Sequence, residues 1–193
     1  MKSSMRYRLV LVAVVAAAST GCGSTATVSA PAHAAKLTEF QNSFVRFRHP
    51  AAWAAAQPKA SALHFHPMLY LSVQPTRNPC ATTTNEVRCG WPVSELRPGG
   101  VLVVWENRGY PGWTLASARG ASTHVGGRAA RRLVSRPGAC AAIGADETVQ
   151  VAIKRPGMDG NWTAITACLR APKLAANERQ LDALLASTRF RAP

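Results

Sequence analysis

The sequence predicts an α+β domain: a mostly antiparallel sheet with one amphipathic helix packed on it near the C-terminus, stapled by two disulfides. Three observations carry this. Short runs of β-branched, aromatic and aliphatic residues, separated by Pro and Gly turns, recur from Phe44 to Leu169. A helical period is clear once, at residues 172–188, where Leu174, Leu181, Leu184 and Leu185 form a stripe with Glu178 and Asp182 on the wet side. Cys80, Cys89, Cys140 and Cys168 make an even set once Cys22 is set apart.

Residues 1–22 come first and decide where the chain goes. Lys2, Arg6 and Arg8 precede an unbroken apolar run at 9–18, followed by Ser19-Thr20-Gly21-Cys22. That run is half the roughly 20 residues needed to span a bilayer, and the pattern is that of an export signal. Small residues ending in Gly21-Cys22, directly after the apolar run, resemble the lipobox of bacterial lipoproteins. The resemblance implies a diacylglycerol on the Cys22 thiol, cleavage before it, and Cys22 as the new N-terminus. Two or more acyl chains would then hold the protein stably on the membrane. An ordinary secretory signal cut after Ala34 also fits, because Ala32-His33-Ala34 obeys the small-x-small rule. Residues 1–22 hold no consecutive Arg-Arg pair to suggest twin-arginine export.

The expected organisation is a signal peptide at 1–21, a flexible tether at 22–36 and one domain at 37–193. Residues 23–36 are small, polar and without hydrophobic periodicity, which suits a tether. The chain carries 23 basic and 9 acidic side chains, a formal charge of +14. Nucleic acid, the usual partner of such charge, is excluded for an exported protein. Anionic lipid headgroups, anionic wall polymers and an envelope protein remain as expected partners.

In an oxidising compartment the four remaining cysteines read as two disulfides. Three connectivities are possible; Cys80–Cys89 with Cys140–Cys168 is favoured because each closes a local unit. Loops of these lengths stabilise by about 2.5–3 and about 3.5 kcal/mol in the chain-entropy model. No C-x-x-C pair points to zinc.

Along the domain, residues 44–48 have strand composition, and His49-Pro50 is expected to stop that strand. Leu63, Phe65, Leu69, Leu71 and Val73 alternate around Pro67, giving one bent strand or two short ones. Residues 74–100 read as a long loop, rich in Pro and Gly and closed by Cys80–Cys89; loops of this length are often functional. Residues 101–105 are apolar on both faces, as a central strand should be. Gly109-Tyr110-Pro111-Gly112 turns the chain, and Gly126-Gly127 is a hairpin turn before a segment at 128–135. Residues 148–153 form a strand with Val149, Val151 and Ile153 on one face; the turn at 156–160 returns the chain as its partner at 162–169. After the helix, Phe190 is expected to pack or pair.

The phrase Phe47-x-x-Pro50-x-x-Trp53 in an early hairpin, with a final helix ending in Ser187-Thr188-x-Phe190, resembles PsbP-like α-β-α sandwich proteins. The order of elements is also similar to that of secreted actinobacterial lipoproteins. The resemblance implies a binding or scaffolding module rather than an enzyme.

Three groups of residues are candidates for chemistry. His64 and His66, at strand spacing, face one side and could share a metal if His49 or another group supplied a third ligand; otherwise they are a solvated strand face. Arg128, Arg132 and Arg136, with Arg131 adjacent, fall on one face and could meet phosphate on lipids or wall polymers, or could simply guard an edge strand. Trp91, Trp105, Tyr110 and Trp113 gather near Pro and Gly turns and could stack on a sugar or peptide ligand or pack across the loop. Trp105 follows the alternation of a core strand, and Tyr110 and Trp113, in a turn, are the better candidates for exposed contact.

Catalysis finds little footing, since no nucleophile elbow, phosphate-cradling loop or His-Glu-x-x-His is present and no cofactor motif is legible. The expected role is therefore a lipid-anchored, non-catalytic binding or scaffolding domain on the outer face of the cytoplasmic membrane. A ligand-binding sensor or delivery lipoprotein is the alternative. A metal-dependent enzyme using His64 and His66 is a further one.

Overall fold

The computed structural model describes residues 36–58, 66–82 and 87–191, all within one compact unit. The expected signal peptide at 1–21, Cys22, residues 23–35 of the expected tether, and Leu63, His64 and Phe65 lie outside the described residues.

Twelve strands and one helix are described, in the order β1 (Leu37–Gln41), β2 (Val45–Pro50), β3 (Ala54–Ala56), β4 (His66–Ser72), β5 (Cys80–Thr82), β6 (Val87–Cys89), β7 (Val101–Gly109), β8 (Ala121–Val125), β9 (Arg128–Ser135), β10 (Glu147–Lys154), β11 (Asn161–Leu169), α1 (Leu174–Ser187) and β12 (Arg189–Phe190). Seven strands build the main sheet in the order β3-β4-β7-β11-β10-β9-β8, and every neighbouring pair is antiparallel. A three-stranded sheet, β1-β2-β12, is also antiparallel. The predicted fold class therefore stands: a mostly antiparallel sheet with one helix near the C-terminus.

Successive side chains of a strand point to opposite faces, so the main sheet must be covered twice. On the first face Leu69, Leu71, Val101, Val103, Trp105, Val149, Val151, Ile153, Ile165 and Leu169 join Phe47, Trp53, Leu181 and Leu184 in one buried cluster. Helix α1 and β2 supply that cover, and Phe47 stacks on Trp105 with ring centroids 4.8 Å apart and planes 8° apart. Ser187 Oγ accepts the Arg48 N–H at 2.9 Å, tying the end of α1 to β2. On the second face Tyr70, Leu102, Val104 and Cys168 pack with Val93 and Leu96 of the 91–100 segment, Cys140 and Ile143 of a 3-10 turn at Ala139–Ile143, and Ala145 just after it.

Both disulfides join the partners expected, Cys80 to Cys89 and Cys140 to Cys168. The second staples the 3-10 turn to β11 inside the second core, where both cysteines are fully buried. The first closes the two-stranded β5–β6 hairpin within the long loop.

Several local expectations shift. His49-Pro50 does not stop the second strand, which runs to Pro50 because β1 pairs along it as far as Leu37↔Pro50. A proline is tolerated there, at a strand end. The bend at Pro67 is a register shift between Pro67 and Leu69 within the single strand β4, and Val73 lies exposed beyond its end. The helix begins at Leu174 and keeps the leucine stripe, with Leu181, Leu184 and Leu185 buried. Glu178 is half-buried rather than on a wet side, while Asp182 is exposed. Phe190 pairs with Val45 through β12.

Two stability outcomes follow. Phe47→Ala is expected to cost about 3–5 kcal/mol, because it removes the ring between helix layer and sheet. C140S/C168S should cost about 3–4 kcal/mol and C80S/C89S less, since the loop is longer and the site buried. Urea unfolding of the three variants measures this; equal losses for the two cysteine pairs would contradict the assignment of the second core.

Candidate binding groove

The second face of the main sheet is covered at one end only. What remains open is set by strand register. One row across the sheet reads Tyr70, Val104, Thr166, Gln150 and Leu133 on β4, β7, β11, β10 and β9. The next reads Glu106, Ala164, Ala152 and Arg131 on β7, β11, β10 and β9. Two alanines therefore stand between a carboxylate and a guanidinium, and small side chains leave a trough.

The trough has an inner and an outer part that share Arg108 and Thr166. The inner cavity measures 380 Å³ and is walled by Tyr70, Trp91, Pro92, Val104 and Glu106, with the Cys89 end of the hairpin above. That volume lies in the range of small-molecule sites. The outer bay measures 440 Å³ and is lined by Arg119, Arg131, Gln150, Ala152, Trp162 and Ala164. Trp162 is held by a stack on Trp113 at 4.4 Å and 15°.

Glu106 is the chemical centre of the inner cavity, only 1% exposed in the middle of a sheet. Its Oε1 accepts from Nε and Nη2 of Arg108, each at 2.5 Å. Its Oε2 is buried without a hydrogen-bond partner, and so is the hydroxyl of Tyr70. Burial raises the Glu106 carboxyl above its usual value; the charge and hydrogen bond of Arg108 lower it without cancelling the rise. Burial, and then the charge of Glu106, push the Tyr70 phenol up to about 12. A buried polar atom left unpaired costs about 1–3 kcal/mol, so two of them in one cavity call for a partner.

The residues singled out from the sequence lie elsewhere. Arg128 sits 4.0 Å over the Phe190 ring, Arg132 pairs with Asp182 at 3.0 Å, and Arg136 with Glu147 at 2.6 Å. These three guanidiniums are thus engaged within the fold, while Arg131 turns to the other face and donates to the Gly120 carbonyl. Glu178 joins Glu147 beside Arg132 and Arg136. A hydrogen bond to Glu147, burial and the charge of Glu147 raise its pKa, against the two arginines.

Trp113 spends its face on Trp162, and Tyr110 is 66% exposed in the turn. Trp105 is core. His66 is exposed at the start of β4, and His64 is not among the described residues. His49 belongs to the other sheet, buried, with Nδ1 donating to the Pro50 carbonyl at 3.0 Å. No group of three or more His, Cys, Asp or Glu side chains able to hold a metal occurs among the described residues.

Tyr70, Glu106, Arg108, Arg119 and Trp162 were not legible as a site, because register across β4, β7 and β11 and the segment before β8 bring them together; Trp91, one of the aromatics offered for ligand stacking, joins them. One signal was present: Glu106 continues the alternation of Leu102 and Val104, a carboxylate on the buried face of an apolar strand.

No protein-family model matches the chain, and no curated protein does so significantly.

Glu106 yields a signed prediction. A carboxyl whose folded-state pKa is raised holds its proton more tightly when folded. That contribution is fully present below the unfolded value of about 4.3 and is lost as pH rises through the folded value. Glu106→Gln removes the ionised form while Arg108 remains solvated at 43% exposure. At neutral pH it should raise Tm by about 2–4 °C, near 1 kcal/mol for a domain of this size. The gap should close on acidification. Thermal melts across this pH range measure it, and a lower Tm at neutral pH would mean that the Arg108 pair outweighs burial.

Proposed function

We propose that this chain is an exported envelope lipoprotein, held by acylated Cys22 at the outer face of the cytoplasmic membrane, whose domain is a non-catalytic binding module. The location rests on the sequence: the basic start, the short apolar run and Gly21-Cys22, followed by a small, polar tether. The role rests on one observation, the 380 Å³ cavity over Tyr70 and Glu106. Its floor, from Tyr70 to Thr166, belongs to interior strands β4, β7 and β11, with Trp91 and Pro92 of the 91–100 segment beside it, which gives a ligand a preformed seat.

That cavity favours the ligand-binding form of the reading, a sensor or delivery lipoprotein, over a purely scaffolding one. The order of elements, with Phe47 and Trp53 buried between layers and a closing helix, supports kinship with PsbP-like sandwiches. Two disulfides suit an extracytoplasmic setting.

Native mass spectrometry of the full chain, extracted gently from its own membrane without reductant, tests the location. The expected mass starts at acylated Cys22 and is four hydrogens short of the reduced chain, and Cys22→Ala should abolish membrane retention. A mass starting at Ala35 without lipid would make this a secreted protein and remove the anchor. An adduct lost on unfolding is the expected sign of a bound ligand.

A further inference from the structure

We propose that the groove takes a phosphorylated polyol, with hydroxyl groups in the inner cavity partnered by Tyr70 Oη and Glu106 Oε2, and phosphate in the outer bay between Arg119 and Arg131. This deepens the binding-module reading and rests on it.

The inner cavity selects the hydroxyls. Tyr70 Oη can donate and Glu106 Oε2 accepts, and both are buried and unpaired. A ligand hydroxyl donates and accepts at once, so a pair of them satisfies both atoms. A purely apolar ligand would leave both unpaired. A second anion in this cavity would meet the Glu106 charge, and a cation would meet Arg108, which already holds Oε1. Trp91 and Pro92 give the carbon face of a ring or chain an apolar wall.

The outer bay selects the anion. Arg108, Arg119 and Arg131 line it, with no acidic side chain among its lining residues. Arg108 is taken by Glu106. Arg119 and Arg131 have no acidic partner among the described residues, unlike Arg132, Arg136 and Arg170. Arginine is the side chain best shaped for phosphate oxygens. Arg131 is also oriented, since Nη1 donates to the Gly120 carbonyl.

Register links the two parts. Glu106 and Arg131 lie in one row, separated by Ala164 and Ala152. Three strand spacings put their backbones about 14 Å apart. The two alanines between them leave that span open, and a cyclitol or hexose bearing one phosphate, together with the side chains at either end, is long enough to bridge it. Such a group belongs equally to a lipid headgroup and to a wall polymer.

The test uses the protein purified from its membrane, with myo-inositol 1-phosphate as probe and inositol and inorganic phosphate as its halves. Binding is read from shifts of the tryptophan indole N–H signals. The whole probe should bind about tenfold or more tightly than either half. R119A/R131A, at an exposed and a half-buried position, should weaken it by about tenfold or more, with the Tm of the variant measured beside it to separate binding from folding. Y70F should weaken it less, and leave inorganic phosphate binding unchanged.

Equal affinity for inorganic phosphate and the whole probe would overturn the proposal, and so would indifference to R119A/R131A. If the probe fails while the neutral dye N-phenyl-1-naphthylamine binds and shifts the Trp91 signal, the ligand class falls and the binding module stands. If neither binds, both readings fall. Displacement of the probe by vesicles containing phosphatidylinositol supports the site with a lipid as its source. Displacement by a soluble polyol-phosphate polymer alone supports it with a wall polymer as source.

Discussion

The rest of the structure depends on one constraint: β7 is buried on both faces. Val101, Val103 and Trp105 enter one core, and Leu102, Val104 and Glu106 enter the other. A strand of this kind cannot lie at a surface, so it needs a neighbour on each side and a layer above and below. β4 and β11 provide the neighbours. Helix α1 and the small sheet close one face, and the 91–100 segment with the 3-10 turn closes part of the other. The Cys140–Cys168 bond fastens that second cover to the sheet, which explains why a modest set of side chains suffices there.

The two covers are unequal, and the inequality makes the groove. On the first face a helix lays three leucines against the sheet, with Phe47 stacked on Trp105. On the second, the cover ends near Val104, and beyond it the sheet offers Ala164, Ala152 and Gln150. A carboxylate stands where cover gives way to trough. Glu106 is tolerated because Arg108, two residues further along the same face, meets it with two donors while keeping its outer surface in water.

Local signals were readable where neighbours in sequence are neighbours in space. The β10–β11 hairpin, the turn at Gly126-Gly127, the leucine stripe of α1 and both disulfides belong to this kind. β1 was missed because Leu37-Thr38-Glu39-Phe40-Gln41 is mostly exposed and owes its conformation to pairing with β2. The same pairing carries β2 through His49-Pro50, where local rules would end it. The arginines at 128, 132 and 136 do share a face as their spacing implies, yet Phe190, Asp182 and Glu147 occupy them. Spacing places a side chain; it does not say what is already waiting there.

By itself, then, the sequence determined the fold class, the cysteine pairing and the alternation that sends each strand residue to one face or the other. These follow from short-range geometry: a period of two, a period of 3.6, and loops short enough to close. Tertiary structure alone decided which face stays open, and which residues meet across it. Glu106, Arg131 and Tyr70 come from three strands of one sheet, and only the register between strands sets them over a shared trough. Register is settled by the burial of whole faces rather than by any one residue's neighbours in the chain.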